Sequence, residues 1–191
     1  MLAKLIRRIA EKLEEDKIPY MIIGGQAVLL YGRPRLTRDI DITLGIDTDD
    51  FARLANVCRE LQLRILPGEP ANFVRQTSVL PAEEQESRIR VDFIFSFSEY
   101  ERQALDRTKP VTMDGHPVRF ASCEDVIIHK MIAGRAIDIE DVRHLLAKNR
   151  EQLDYDYLKR WLSEFSSLPE CEQVLERFER LLNKQDDWRN D

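Results

Sequence analysis

The sequence predicts an α/β (α+β) fold: a mixed β-sheet with flanking helices, followed by a helical subdomain toward the C-terminal end. Three observations point there. Strand-like runs, the apolar and β-prone Tyr20 to Ile23 and the period-two Asp39 to Leu44 and Arg88 to Phe95, alternate with stretches whose apolar residues recur at helical spacing. From Asp154 onward the pattern is helical alone. At 191 residues, 43% hydrophobic and 34% charged, the chain can bury a full core and reads as globular rather than disordered. The main domain is expected over residues 1–150 and a helical extension over residues 151–191.

The net charge of −6 argues against a general, salt-driven nucleic-acid binder, although a local basic patch can still guide a polyanion. Cys58, Cys123 and Cys171 are odd in number and far apart, which disfavours a disulfide framework or a zinc site and fits a reducing cytoplasm. No apolar run approaches the roughly 20 residues of a membrane span. The basic Lys4, Arg7 and Arg8 precede Glu11, Glu14, Glu15 and Asp16 within one amphipathic pattern, so the first segment reads as a structural helix and not a targeting peptide.

Taken in order, Leu2, Leu5, Ile6, Ile9 and Leu13 define that first helix, which should stop near Ile18-Pro19. The apolar run Tyr20 to Ile23 is a strand that ends at Gly24-Gly25, where missing side chains would let a phosphate approach the backbone N–H groups. A helix starting there would aim further donors and a partial positive charge at the same place. Gly32-Arg33-Pro34-Arg35 breaks this helix. Two readings fit Arg33, Arg35 and Arg38: they screen phosphate charge or guide an acidic substrate, or they balance the nearby aspartates.

Asp39-Ile40-Asp41-Ile42-Thr43-Leu44 alternates with period two, which puts Asp39 and Asp41 on one face of a strand. Two like charges held together call for a cation, and a hard divalent ion bound by oxygens is the ordinary remedy. Mg²⁺ is expected. It takes one or two carboxylates and completes its shell with water and substrate phosphates, so an Asp-x-Asp pair facing a glycine-lined gap points to nucleotide chemistry.

Asp47-Thr48-Asp49-Asp50 reads as a helix N-cap, with Phe51, Leu54, Ala55 and Val57 continuing at helical spacing. Leu61 to Leu66 and residues 72–80 are expected as strands, and Ala82 to Ser87 as an acidic loop. In the strand that follows, Arg88, Arg90 and Asp92 share one face. A short helix over Phe97 to Leu105 and a hairpin about Asp114-Gly115 come next, with Pro117 implying an edge strand. Ser122-Cys-Glu-Asp125 has the spacing of a capping box for a helix carrying Val126, Ile127 and Met131. Lys130 lies at the border of that apolar face: directed inward it can place a point charge on a phosphate, and otherwise it snorkels. Gly134-Arg135 ends the helix, and Asp138 and Asp141 fall where N-terminal charges would cap the next one. Two further helical stripes, Leu158 to Phe165 and Val174 to Leu182, read as core.

Gly24-Gly25, a short helix and then Arg35-x-Thr37-x-Asp39-x-Asp41 resemble the signature of the DNA polymerase beta-type nucleotidyltransferase superfamily, particularly its small bacterial members similar to AbiEii abortive-infection toxins. The resemblance covers roughly residues 20–146 and is most specific in the glycine pair and the Arg/Thr/Asp-x-Asp run. It implies a nucleotidyltransferase-type sheet and a catalytic domain that moves an NMP from an NTP such as ATP to a hydroxyl. The favoured acceptor is RNA such as tRNA, and a toxin role with a protein antitoxin is implied as well. Gly24, Gly25, Gln26 and Arg38 become the expected nucleotide-binding residues, with Lys130. Many relatives carry Ser where this chain has Gln26. Asp92 matches a third carboxylate that completes the metal site with Asp39 and Asp41 or accepts the proton of the attacking hydroxyl; pairing with Arg90 or Arg88 is the alternative. Lys130 followed by Asp138 and Asp141 is similar to downstream motifs in which the lysine and a distal aspartate are needed for activity, making Lys130 and Asp141 candidate catalytic residues. The competing function is a non-catalytic nucleotide- or partner-binding module that kept the fold.

Overall fold

Helix α1 (Leu2–Glu15) turns Leu5, Ile6, Ile9, Ala10 and Leu13 inward, and each such leucine or isoleucine taken from water contributes about 1.5–3 kcal/mol. Arg8 and Lys12 of this helix bind the protein itself. Arg8 Nη2 donates to the Leu61 carbonyl at 3.0 Å, and Lys12 Nζ lies 3.1 Å from Asp16 and 2.5 Å from Glu60. The computed structural model describes residues 1–33, 36–37, 39–96 and 98–187, the side chains of 184–187 excepted. The expected roles of Arg35 and Arg38 therefore lie outside the described residues, as does the start of the helix expected from Phe97.

The chain forms two compact units, Met1–Gln26 with Leu36–Ala121, and Ala27–Arg35 with Ser122–Asp191. Residues 122–150 thus pack with the C-terminal helices.

The first unit is built on a mixed seven-stranded sheet with flanking helices, the expected fold class. Its strands are β1 (Tyr20–Ile23), β2 (Ile40–Leu44), β3 (Leu63–Ile65), β4 (Val79–Glu84), β5 (Arg90–Phe95), β6 (Lys109–Met113) and β7 (His116–Phe120). They lie in the order β3-β4-β5-β2-β1-β7-β6. The β2–β5 and β1–β7 pairs are parallel and the others antiparallel. The central register sets Ile40 beside Val91 and Ile42 beside Phe93, all four fully buried. That buried face fixes the pairing, because a slip of one residue would turn these side chains to the opposite side. Helix α2 (Gly24–Tyr31) begins directly after β1.

Three expectations are corrected. The stretch expected as a strand over residues 72–80 is mostly a helix, α4 (Pro70–Thr77), which follows α3 (Phe51–Glu60) in the chain. Phe73, Val74 and Thr77 look β-prone, but Val74 is the buried residue of the helix. Pro70 in the first turn presets the helical φ. The acidic segment expected as a loop from Ala82 continues β4 to Glu84, with Leu80, Pro81 and Ala82 buried and Glu83 held by Arg64 at 2.8 Å and Arg88 at 3.1 Å. Pro117 is not on an edge: β7 lies between β1 and β6. The proline is tolerated because β1 and β7 register at Ile22 and Phe120, three residues farther along.

Helix α5 (Glu99–Asp106) completes the helices of the first unit, its start closed by a capping box between Ser98 and Glu101. In the second unit α6 (Cys123–Ala133), α7 (Ala136–Asn149), α8 (Tyr155–Phe165) and α9 (Val174–Asp187) pack around Ile127, Met131, Leu145, Leu158, Leu162 and Phe178. Ser122 caps α6 by accepting from Asp125 N–H at 3.2 Å. Gly134 ends α6 with φ +63°, in the left-handed region that glycine adopts without cost.

Candidate active site

The strand-to-helix junction after β1 forms the floor of the candidate site in the first unit. Gly24 has φ +61°, and a Cβ there would overlap the Asp41 carboxylate, with Cγ only 2.7 Å away. Gly25 is equally crowded: a Cβ would lie 2.9 Å from Thr37 Cβ and closer still to its hydroxyl. The space that a Cβ would need at each glycine is thus taken by a side chain of the protein. The glycines let the Asp-x-Asp strand and Thr37 approach the start of α2.

Gln26 is 5% exposed, and its Nε2 donates to the main-chain carbonyl of Asp39 at 3.3 Å. The side chain expected to touch nucleotide is thereby engaged with the backbone of a candidate metal ligand. Asp39 stands one residue before β2 and is exposed, while Asp41, within β2, is half-buried. Asp41 pairs in register with Asp92 on the parallel strand β5, and Asp39 stands two residues before Asp41 at the same end of β2.

Asp92 is held by a cation. Arg90 Nε donates to both of its carboxylate oxygens, at 2.8 and 3.0 Å. Its hydrogen bond to Asp92, together with the charges of Asp92, Asp39 and Asp41, outweighs desolvation and holds the guanidinium above its ordinary pKa. The alternative sequence reading of Asp92, an ion pair with Arg90, is present in the structure.

Among the described residues, no group of three or more His, Cys, Asp or Glu side chains is gathered to hold a metal ion. Mg²⁺ does not need one. One or two carboxylates with substrate phosphates and water suffice, and Asp39 and Asp41 supply hard oxygen donors with Asp41 fitted into the space that Gly24 leaves. The donor set fits that ion.

The second unit contains its own charged cluster. Lys130 is 6% exposed, and its Nζ lies 2.6 Å from Asp138 Oδ1 and 3.1 Å from Asp141 Oδ2. Lys130 is therefore directed inward and does not snorkel. Asp138, fully buried, also accepts from Arg135 Nε at 2.5 Å and Nη2 at 3.2 Å. Burial alone would raise the Asp138 carboxyl, but hydrogen bonds from Arg135 and Lys130, with their charges, hold it below its ordinary value. The sequence singled out Asp141 and left Asp138 as a capping charge. The missed signal was the spacing from Arg135 to Asp138, which places both on one side of a helical turn.

Comparison with known proteins agrees with this architecture. Residues 1–185 match the family described as "Nucleotidyltransferase of unknown function (DUF6036)". No curated protein matches the sequence. Among solved structures, the antibiotic-resistance factor ANT(2'')-Ia in solution is similar with TM-score 0.58 and 17% identity, covering 99% of this chain and 97% of that one. An antigenic nucleotidyltransferase-like protein from Paracoccidioides brasiliensis gives TM-score 0.56 and 15% identity over 92% of each chain. The lincosamide antibiotic adenylyltransferase LnuA, lincomycin-bound, gives TM-score 0.51 and 19% identity over 74% of this chain and 94% of that one. At these identities the likeness is one of fold.

Proposed function

The chain belongs to this nucleotidyltransferase family, and from that premise we propose that it moves an NMP from an NTP to a hydroxyl acceptor with Mg²⁺. The observation that carries the proposal is the placement of Asp41 against Gly24 and in register with Asp92, with Asp39 two residues before it. Asp39 and Asp41 are the residues that would hold Mg²⁺, which when bound neutralises triphosphate charge. The N-terminus of α2 offers backbone donors to the phosphates. Asp92 accepts the proton of the acceptor hydroxyl as that oxygen bonds to the α-phosphorus and pyrophosphate leaves with the electrons of the broken α–β bridge. Gln26 acts through Asp39. Arg38 is retained as a phosphate-binding residue on the sequence reading alone. Lys130 and Asp141 enter as residues whose loss lowers turnover, the role implied by the resemblance to AbiEii-type enzymes.

An RNA acceptor and a toxin role held in check by a protein antitoxin follow from the same resemblance. A small-molecule hydroxyl is the other acceptor class, since one structure of this fold is lincomycin-bound. Among the described residues no helix is long and apolar enough to cross a membrane. The three free cysteines suit a reducing cytoplasm, where we place the enzyme. Pyrophosphate release tests the reading. With each NTP, Mg²⁺ and a cell extract freed of protein, release by the wild type and its loss in Asp39→Ala/Asp41→Ala support transfer. Nucleotide binding without pyrophosphate release would leave a binding module.

A further inference from the structure

Arg90 and Asp92 lie two residues apart on β5, so their side chains leave the sheet on the same face. Arg90 reaches both oxygens of Asp92, Asp41 stands beside Asp92 on the next strand, and the charges of Asp39 and Asp41 also act on the guanidinium. Arg90 is thus a built-in counter-cation for a cluster that a divalent ion would otherwise neutralise. Its side chain is 52% exposed. An ion pair so close to solvent is weak enough to exchange for another cation.

We propose that Arg90 is a positioning residue that occupies Asp92 in the nucleotide-free protein in place of a second divalent ion, leaving Asp39 and Asp41 to hold one. This rests on the reading that Asp39 and Asp41 are metal ligands. Removing the guanidinium takes from Asp92 the cation that reaches both of its oxygens, which raises the demand of that carboxylate for another cation. Lysine at this position restores the charge without the planar fork.

Mn²⁺ titration of the full chain, with free Mn²⁺ read by electron paramagnetic resonance, tests the proposal without relying on activity. Wild type is expected to take one ion per chain. Arg90→Gln should take a second or bind at least tenfold more tightly, Arg90→Gln/Asp92→Asn should return to the wild-type isotherm, and Arg90→Lys should stay near it. Thermal unfolding confirms that each variant is folded. Two ions on the wild type, or an Arg90→Gln isotherm with the same count and less than tenfold tightening, overturns the role of Arg90 alone. Absence of Mn²⁺ binding by both proteins, or wild-type binding that survives Asp39→Asn/Asp41→Asn, overturns the metal reading and this inference with it.

Discussion

The Asp41 carboxylate fills the space that a side chain on Gly24 would need: an ideal Cβ there would stand 2.7 Å from Asp41 Cγ and overlap its oxygen. With φ +61° at the same residue, alanine meets both a strained backbone and the carboxylate proposed to hold Mg²⁺. Gly24→Ala should lose about 1–3 kcal/mol of stability and at least tenfold in pyrophosphate release. Chemical denaturation and the release assay check the two effects separately, and a fully active Gly24→Ala protein would show that Asp41 need not sit where it does.

Gln26 ties the Asp39 carbonyl from a buried position. Gln26→Ala should cost about 1 kcal/mol in stability, the worth of an ordinary hydrogen bond, and weaken divalent-ion binding severalfold by releasing Asp39. Gln26→Ser, although it installs the residue that the superfamily resemblance implies, should behave like alanine because serine is too short to reach that carbonyl. Calorimetric Mg²⁺ titration distinguishes this from direct nucleotide contact, which would lower NTP affinity and leave metal binding unchanged.

Asp138 links Lys130 and Arg135 within the second unit. Its folded carboxyl titrates below the unfolded value of about 3.9. It therefore contributes stability that is present above that pH and is lost as pH falls through the folded pKa. Asp138→Asn should be less stable by about 3 kcal/mol near pH 7, where a buried pair loses one partner, and should show a shallower loss of stability on acidification below about pH 4. Urea unfolding at a series of pH values reads both; parallel acid limbs for the two proteins would contradict the assignment.

Cys58 and Cys123 are buried and free, and burial pushes each thiol up to about 12. Cys171 is partly exposed. A thiol reagent at neutral pH should label one cysteine per native chain quickly and the other two only on unfolding. Mass spectrometry locates the first label, and rapid modification of Cys58 would contradict the packing of α3.

The candidate site was legible where its residues are close in sequence. Gly24-Gly25 and Asp39-x-Asp41 are neighbours, and the alternation of β2 put Asp39 and Asp41 on one face, whereas Asp92 entered through the resemblance and its register with Asp41 belongs to the strand pairing. Long-range geometry was not legible. Nothing local says that Thr37 would fill the space at Gly25 or that Gln26 would turn toward Asp39, since both depend on how the chain returns from α2 to β2. The helix α4 was hidden because Phe73, Val74 and Thr77 carry strand propensity, which a helix with one buried residue overrides cheaply. Lys130 could not be assigned from its border position. Its burial depends on Asp138 and Asp141, one helix farther along.

The most direct measurement is transfer itself: each α-³²P-labelled NTP with Mg²⁺, total cellular RNA and purified protein, beside Asp39→Ala/Asp41→Ala as control. The account predicts Mg²⁺-dependent label in RNA with the wild type and at least a hundredfold less with the control, as expected when charge stabilisation at the reacting phosphate is removed. Equal labelling by the two proteins would contradict the assignment of Asp39 and Asp41 as the centre of the chemistry. No labelling by folded wild type with any NTP, in RNA or in a small-molecule extract added in its place, would contradict nucleotidyl transfer.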